Sequence, residues 1–221
     1  MKKELLPHQE EAVSAVLKEL KKADRCHIVM ACGTGKTLAS IRIAERLKPR
    51  VIAIFVPSLA LINQFIKEWI ANIETTEYST LTICSDDTLN KDLEEESLLV
   101  EDFKFPVSND PTEIKSYLVN PSTNLKIIFC TYQSSWILGE AVKRKAIIDV
   151  GIFDEAHKTA GFNKDIFSFA LDELNIKIKK RFFMTATPRH AHSIRRNKQG
   201  EKIDVYSMDD KKLYGERAYS L

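Results

Sequence analysis

Long apolar runs are missing from this 221-residue chain, and so is any surplus of one charge. No stretch approaches the roughly 18 apolar residues that a membrane span requires, so a membrane partner is not expected. The opening "MKKELLPHQEEAV" has no apolar segment behind its lysines, and nothing there reads as an export signal. The 33 basic and 31 acidic side chains leave a formal charge of +2. That balance neither demands nor excludes a nucleic-acid partner, because only a local basic surface decides the matter. Cysteine is sparse: Cys26, Cys32, Cys84 and Cys130 form no CxxC pair, which argues against a zinc site and a disulfide framework. Reduced thiols in a cytoplasmic protein are the expectation. Internal repeats and low-complexity tracts are absent, and glycine occurs only 7 times.

What is present is apolar material in short blocks. At 44% hydrophobic residues the chain can build one sizeable core, which suits a single large α/β domain over 1–221. Strands are predicted at 27–31, 51–56, 81–84, 126–131, 150–155 and 181–185, mostly as continuous apolar runs suited to parallel strands covered on both faces. Between them lie stripes spaced i, i+3, i+4, i+7: Val13/Val16/Leu17/Leu20, Ile62/Phe65/Ile66/Trp69 and Phe167/Ala170/Leu171/Leu174. Such alternation predicts a doubly wound, mainly parallel sheet with helices on both faces. Two segments depart from it. Residues 86–120, which open with an acidic run and end in a short helix near Leu118, read as a surface insertion. Residues 189–202 are basic and aperiodic and read as a mobile, solvated loop. His190 and His192 lack cysteine or carboxylate neighbours in sequence, so no metal is expected there.

Two of the scarce glycines fall together in "MACGTGKT", Met30–Thr37, between an apolar strand and a helical period. Gly33 and Gly35 allow unusual backbone angles and a close approach to a ligand. Together with Thr34, the turn aims N–H groups inward at the positive end of the helix that starts near Lys36. Lys36 would lie between the β- and γ-phosphates of ATP, and the Thr37 hydroxyl would hold Mg²⁺. The full phosphate-loop pattern has glycine where this chain has Met30, which is expected to close the strand. Cys32, inside the loop, is expected to be a small packed residue rather than a reactive thiol.

A second motif narrows the reaction. "IIDVGIFDEAHKTAG" leads an apolar strand into Asp154 and Glu155, putting two carboxylates at the C-terminal strand end, where open α/β sheets bind ligands. One carboxylate is needed on the Mg²⁺ touched by Thr37, and this falls to Asp154. The other can orient and deprotonate the attacking water, and this falls to Glu155.

With these motifs in place the chain resembles the first RecA-like domain of superfamily 2 helicases and translocases. "LLPHQEEAV" is similar to the opening motif whose glutamine reads adenine, here Gln9. "MACGTGKT" matches motif I, "VPSLALINQFIKEW" motif Ia, "IIFCTYQSS" the Ib-like segment, "DEAH" motif II and "MTATP", Met184–Pro188, motif III. The order is the family's, and the match covers nearly the whole chain. "MACGTGKT", "TYQS", "DEAH" and the ending "YSMDDKKLYGERAYSL" look most like the motor of type I, type III and single-polypeptide restriction enzymes. They are less similar to the RNA-processing DEAH-box group. The resemblance implies that His157 couples the γ-phosphate to motif III, and that Thr185 and Thr187 relay nucleotide state to nucleic acid.

The same resemblance puts a nucleic-acid face on the rim that carries the ATP site. Pro57 and Ser58 precede a helix, and Thr131, Tyr132, Gln133 and Ser134 follow a strand. Contacts there would be to phosphates, giving affinity without sequence reading; local cap or turn hydrogen bonds are the competing use of these residues. The expected partner is double-stranded DNA. The family closes two RecA-like domains over ATP, and the second supplies arginines to the transition state. That second domain, and nuclease or methyltransferase modules, are expected elsewhere in a larger protein, with "KKLYGERAYSL" as the lead toward them. Alone the chain is expected to bind ATP weakly and turn it over poorly. The alternatives are an RNA helicase half or a non-catalytic, nucleotide-dependent nucleic-acid-binding module.

Overall fold

The computed structural model describes residues 2–84, 105–121, 125–143, 148–162, 165–190, 195–196, 202–203 and 205–221. Its centre is an eight-stranded, wholly parallel sheet. The strands are β1 (Arg25–Val29), β2 (Val51–Val56), β3 (Tyr78–Ile83), β4 (Val107–Ser108), β5 (Leu125–Thr131), β6 (Ile148–Phe153), β8 (Ile178–Thr185) and β12 (Glu216–Ser220), in spatial order β12-β1-β8-β6-β2-β5-β3-β4. Small antiparallel pairs join β7 (Gly161–Phe162) to β11 (Val205–Tyr206), and β9 (Arg195–Arg196) to β10 (Lys202–Ile203).

The pleat explains the double winding. On β2, Ile52, Ile54 and Val56 enter one buried cluster while Val51, Ala53 and Phe55 enter the other. The first cluster is covered by the helices α1 (Pro7–Leu20), α2 (Lys36–Leu47) and α3 (Leu59–Asn72). The second is covered by α4 (Pro111–Val119), α5 (Ser135–Val142), the short α6 (Asp165–Ser168) and α7 (Lys211–Tyr214), with a 3-10 turn at Phe169–Leu171. The expected α/β, doubly wound architecture is therefore present. No helix among the described residues is long and apolar enough to cross a membrane.

Four local expectations change. The stripe Phe167–Leu174 is not one helix: it breaks into a 3-10 turn ending before Asp172, and Leu174 is exposed. The described part of 86–120 is built into the sheet edge, since β4 pairs with β3, and Ile114 and Leu118 of α4 are buried; residues 86–104 lie outside the described residues. The basic segment contains the paired β9 and β10, and His190 Nδ1 lies 2.8 Å from Asp209; His192 lies outside the described residues. Finally, the ending "ERAYS" is itself a sheet strand, docked beside β1.

Candidate functional site

β1 pairs with β8, and β8 with β6, so the phosphate-loop segment, the "TATP" segment and the "DEAH" turn leave the sheet at one rim. After β1 the chain turns through Gly33 (φ 79°) and Gly35 (φ 87°), left-handed values that suit glycine, and Gly35 N-caps α2. The space above Gly33 is open, whereas a Cβ on Gly35 would collide with the Gln9 carboxamide. Gln9 is buried at the start of α1: its Nε2 donates to Thr34 O at 2.9 Å, and its Oε1 accepts from Leu6 N at 2.9 Å. His8 Nε2 lies 3.1 Å from the same Thr34 oxygen. Nε2 of Gln9 thus holds the loop in this structure, while Oε1 caps the start of α1. Thr34 Oγ1 closes the turn on Ala31 O at 2.7 Å. Cys32 is exposed rather than packed, because the loop carries it on its outer side.

Lys36 is buried, and its Nζ donates to Met30 O at 3.1 Å and Ala31 O at 3.4 Å. Thr37 follows in the first turn of α2, half-buried, its carbonyl accepting from Ser40 Oγ at 2.7 Å. Across the rim, Asp154 is 6% exposed. Burial, then the adjacent Glu155 carboxylate, push its pKa up to about 7; the Glu155 N–H and the Lys36 charge oppose this. Glu155 sits in the left-handed region at φ 47°, a strained setting that turns its half-buried carboxylate away from the strand path. His157, on the 3-10 turn Ala156–Thr159, places Nδ1 2.9 Å from Thr185 Oγ1 and 3.2 Å from Glu155 Oε2. Burial lowers the His157 pKa more than Glu155 raises it, so these are contacts of a neutral ring. Thr185 is fully buried at the end of β8; its Oγ1 accepts from Thr187 N at 3.1 Å, and its carbonyl accepts from Met30 N at 2.9 Å. Thr187 itself is exposed.

These donors fit a magnesium nucleotide. Hydroxyl and carboxylate oxygens are hard ligands, and Mg²⁺ bound to phosphates needs only one or two protein groups. A buried carboxylate raised to about 7 is one that a nearby cation would favour in its ionised form. The glycine turn and the α2 N-terminus, which no side chain caps, offer N–H groups where a phosphate would approach.

The second predicted patch divides. Pro57, Ser58 and Gln133 are partly exposed on the rim, and Gln133 Nε2 donates to Pro57 O at 3.2 Å, joining the two segments. Thr131, Tyr132 and Ser134 are fully buried, which corrects the expectation that their side chains face nucleic acid. Thr131 Oγ1 bonds Ser134 Oγ at 2.9 Å, and Tyr132 Oη donates to Asp154 O at 2.7 Å. The local-turn use won because the polypeptide after β5 folds back over the second core cluster, carrying the tyrosine ring inward. Motif reading thus assigned Tyr132 a surface contact where it has a buried one, and it did not single out Tyr214, whose Oη lies 2.8 Å from Thr159 Oγ1.

A phosphate loop, a DEAH turn and a TATP strand on one rim of a parallel sheet define a helicase-type ATPase domain of RecA-like fold, a class that uses ATP and a divalent metal. The profile of the family described as "Type III restriction enzyme, res subunit" matches residues 2–190, and the chain belongs to that family. It is 28% identical over 184 residues to "Probable helicase A859L" of African swine fever virus (isolate Tick/Malawi/Lil 20-1/1983), covering 83% of this chain and 19% of that protein. Among solved structures it is similar to the "ATP-dependent Type ISP restriction-modification enzyme LlaBIII bound to DNA" (TM-score 0.81, 29% identity, 100% of this chain and 15% of that one). It is also similar to a nuclease-deletion mutant of the Type ISP restriction-modification enzyme LlaGI in complex with a DNA substrate mimic (TM-score 0.76, 29% identity, 99% and 20%). The chain thus spans a fifth or less of the length of these relatives.

Proposed function

We propose that these residues form the ATP-binding half of a DNA-dependent helicase or translocase motor, as part of a restriction–modification enzyme. The observation that carries this reading is the 2.9 Å contact between His157 and Thr185. It joins the DEAH turn to the TATP strand, a link a motor needs and a plain nucleotide binder does not. In this reading Gly33, Thr34, Gly35 and Lys36 cradle the phosphates, and Lys36 leaves its two loop carbonyls to do so. Thr37 and Asp154 hold Mg²⁺, which supplies charge neutralisation at the phosphates. Glu155 orients and deprotonates the attacking water. His157, Thr185 and the exposed Thr187 pass the nucleotide state toward the rim formed by Pro57, Ser58 and Gln133. Gln9 sets the loop and offers an adenine contact by exchanging its bond to Thr34. The partner is duplex DNA, held through its phosphates. Turnover by these residues alone is slow, since the family resemblance assigns the transition-state arginines to a second RecA-like domain. A cytoplasmic setting accompanies this function.

The test is nucleotide binding and ATP turnover by the chain, with and without duplex DNA, beside Lys36→Ala and Glu155→Gln. Lys36→Ala is expected to weaken Mg-nucleotide binding on the order of a hundredfold, and Glu155→Gln to retain binding while residual turnover disappears. Nucleotide binding without turnover in the wild type, unaltered by Glu155→Gln, would leave a non-catalytic binding module. Stimulation by RNA in place of duplex DNA would make it an RNA helicase half.

A further inference from the structure

Asp154 leaves β6 with both main-chain groups engaged, one by β2 and one by the segment that follows β5. Its N–H donates to Phe55 O on β2 at 2.9 Å, and its carbonyl accepts from Tyr132 Oη at 2.7 Å. Tyr132 starts from the far side of β2: it follows β5, and its own N–H donates to Val56 O at 3.0 Å. The phenol therefore reaches from β5 over β2 to β6. Its ring lies near-parallel to Phe55 (centroids 6.4 Å, 19°) and Phe153 (6.4 Å, 26°), and tilted against Phe167 at 5.9 Å. Phenylalanine would fill the same ring space. The β2–β6 ladder runs from Ile52 to Phe55 without help from the hydroxyl. What the hydroxyl adds is a fixed direction for the Asp154 carbonyl.

We propose that Tyr132 is a positioning residue for the Asp154 carboxylate, tying the metal-binding turn to the segment 131–134 on the proposed nucleic-acid rim. This rests on Asp154 being the magnesium ligand. The physical argument is short. Orienting the carbonyl plane of a residue fixes ψ, and with the N–H also held on β2 the direction of its Cα–Cβ bond is set. The rim side of this link is fastened too, because Gln133 bonds Pro57 O and Thr131 bonds Ser134. A displacement of that segment by a phosphate backbone is passed to Asp154 through one hydrogen bond. A second buried tyrosine gives a built-in comparison: Tyr214 holds the other end of the same turn through Thr159, without touching Asp154.

The experiment is a Mg²⁺ titration of fluorescent ATP-analogue binding to the full chain, in wild type, Tyr132→Phe and Tyr214→Phe. Tyr132→Phe is expected to raise the half-saturating Mg²⁺ concentration about threefold to tenfold, with metal-free nucleotide affinity held within about twofold. Tyr214→Phe, which also loses a buried hydroxyl bond, is expected to keep the wild-type Mg²⁺ response. A wild-type response in Tyr132→Phe overturns the proposal, and so does an equal shift in both variants, which would reflect general loosening. Nucleotide binding that ignores Mg²⁺ in the wild type would instead remove the metal role of Asp154, and the proposal with it; no variant is needed to see that outcome.

Discussion

The two ends of the sheet treat buried charge in opposite ways. At the N-terminal strand ends, buried cations are held by main-chain carbonyls, although Arg181 Nε is buried without a hydrogen-bond partner. Arg181, fully buried, donates to Ile176 O at 2.7 Å and Ile178 O at 3.0 Å. Arg25 donates to Leu171 O and Leu213 O, both at 3.0 Å, and both arginines reach Glu173. Lys126 donates to Leu118 O at 2.7 Å and also to Asn120 O. Burial, then Arg25, lower the Arg181 pKa to about 10, so it stays charged at neutral pH. At the C-terminal ends, Asp154 is a buried carboxylate whose surroundings disfavour its charge, with Glu155 adding to the penalty. The arginine end, where carbonyls hold the charge, is scaffolding. The carboxylate end stores a demand for a cation, and that demand is what a metal–nucleotide site needs.

The contrast can be broken from either side. The largest effect is expected from Arg181→Met, which strands two buried carbonyls. It should lower stability by about 3 kcal/mol and Tm by about 6–12 °C, with nucleotide affinity unchanged, as thermal unfolding and a nucleotide titration would register. Asp154→Asn should do the reverse: raise metal-free stability by on the order of 2 kcal/mol at pH 8 while abolishing the Mg²⁺ dependence of nucleotide binding. The pH profile carries the sign. Between the ordinary carboxyl pKa of 3.8 and the folded value of about 7, the folded carboxyl holds a proton that the unfolded one has lost. Wild-type stability from this group therefore falls as pH rises across that window and levels off above about 7. Chemical denaturation from pH 4 to 8 should show the Asp154→Asn advantage growing to about pH 7 and constant beyond; an advantage already full at pH 4 would mean that burial does not raise this carboxyl. The smallest effect is expected from Lys126→Met, about 1 kcal/mol or less by denaturation, because its carbonyl partners lie beside the exposed Asn120.

Much of this was legible in the chain. Six of the eight main strands are visible as apolar runs, displaced by a few residues at their ends; β1, for instance, begins at Arg25 rather than His27. The helices α1 and α3 followed from their stripes, because both faces of the sheet must be covered by amphipathic elements. β12 escaped notice because it is a short edge strand that opens on two charged, exposed residues, paired to β1 and packing only Ala218 and Tyr219 against the core. The Phe167–Leu174 stripe misled for the converse reason. Its spacing is helical, yet Asn175 Nδ2 takes the Phe169 carbonyl at 3.0 Å and the chain turns away at Asp172. In the site, the motif residues stood out through rare local patterns. Tyr132 stood out too, but for a surface contact, since a tyrosine after a strand reads equally well as exposed or buried.

The sequence by itself determined the class of protein, because a phosphate loop and a paired carboxylate are local arrangements, set by neighbours along the chain. Only the tertiary structure decided which residues serve them from a distance. That Gln9 grips the Thr34 carbonyl, that His157 meets Thr185, and that Tyr132 steers Asp154 each depends on strands brought side by side by pairing and by burial of two apolar faces. A short motif can announce such a site, but the contacts that align it span 22 to 28 positions of chain, and only packing chooses among them.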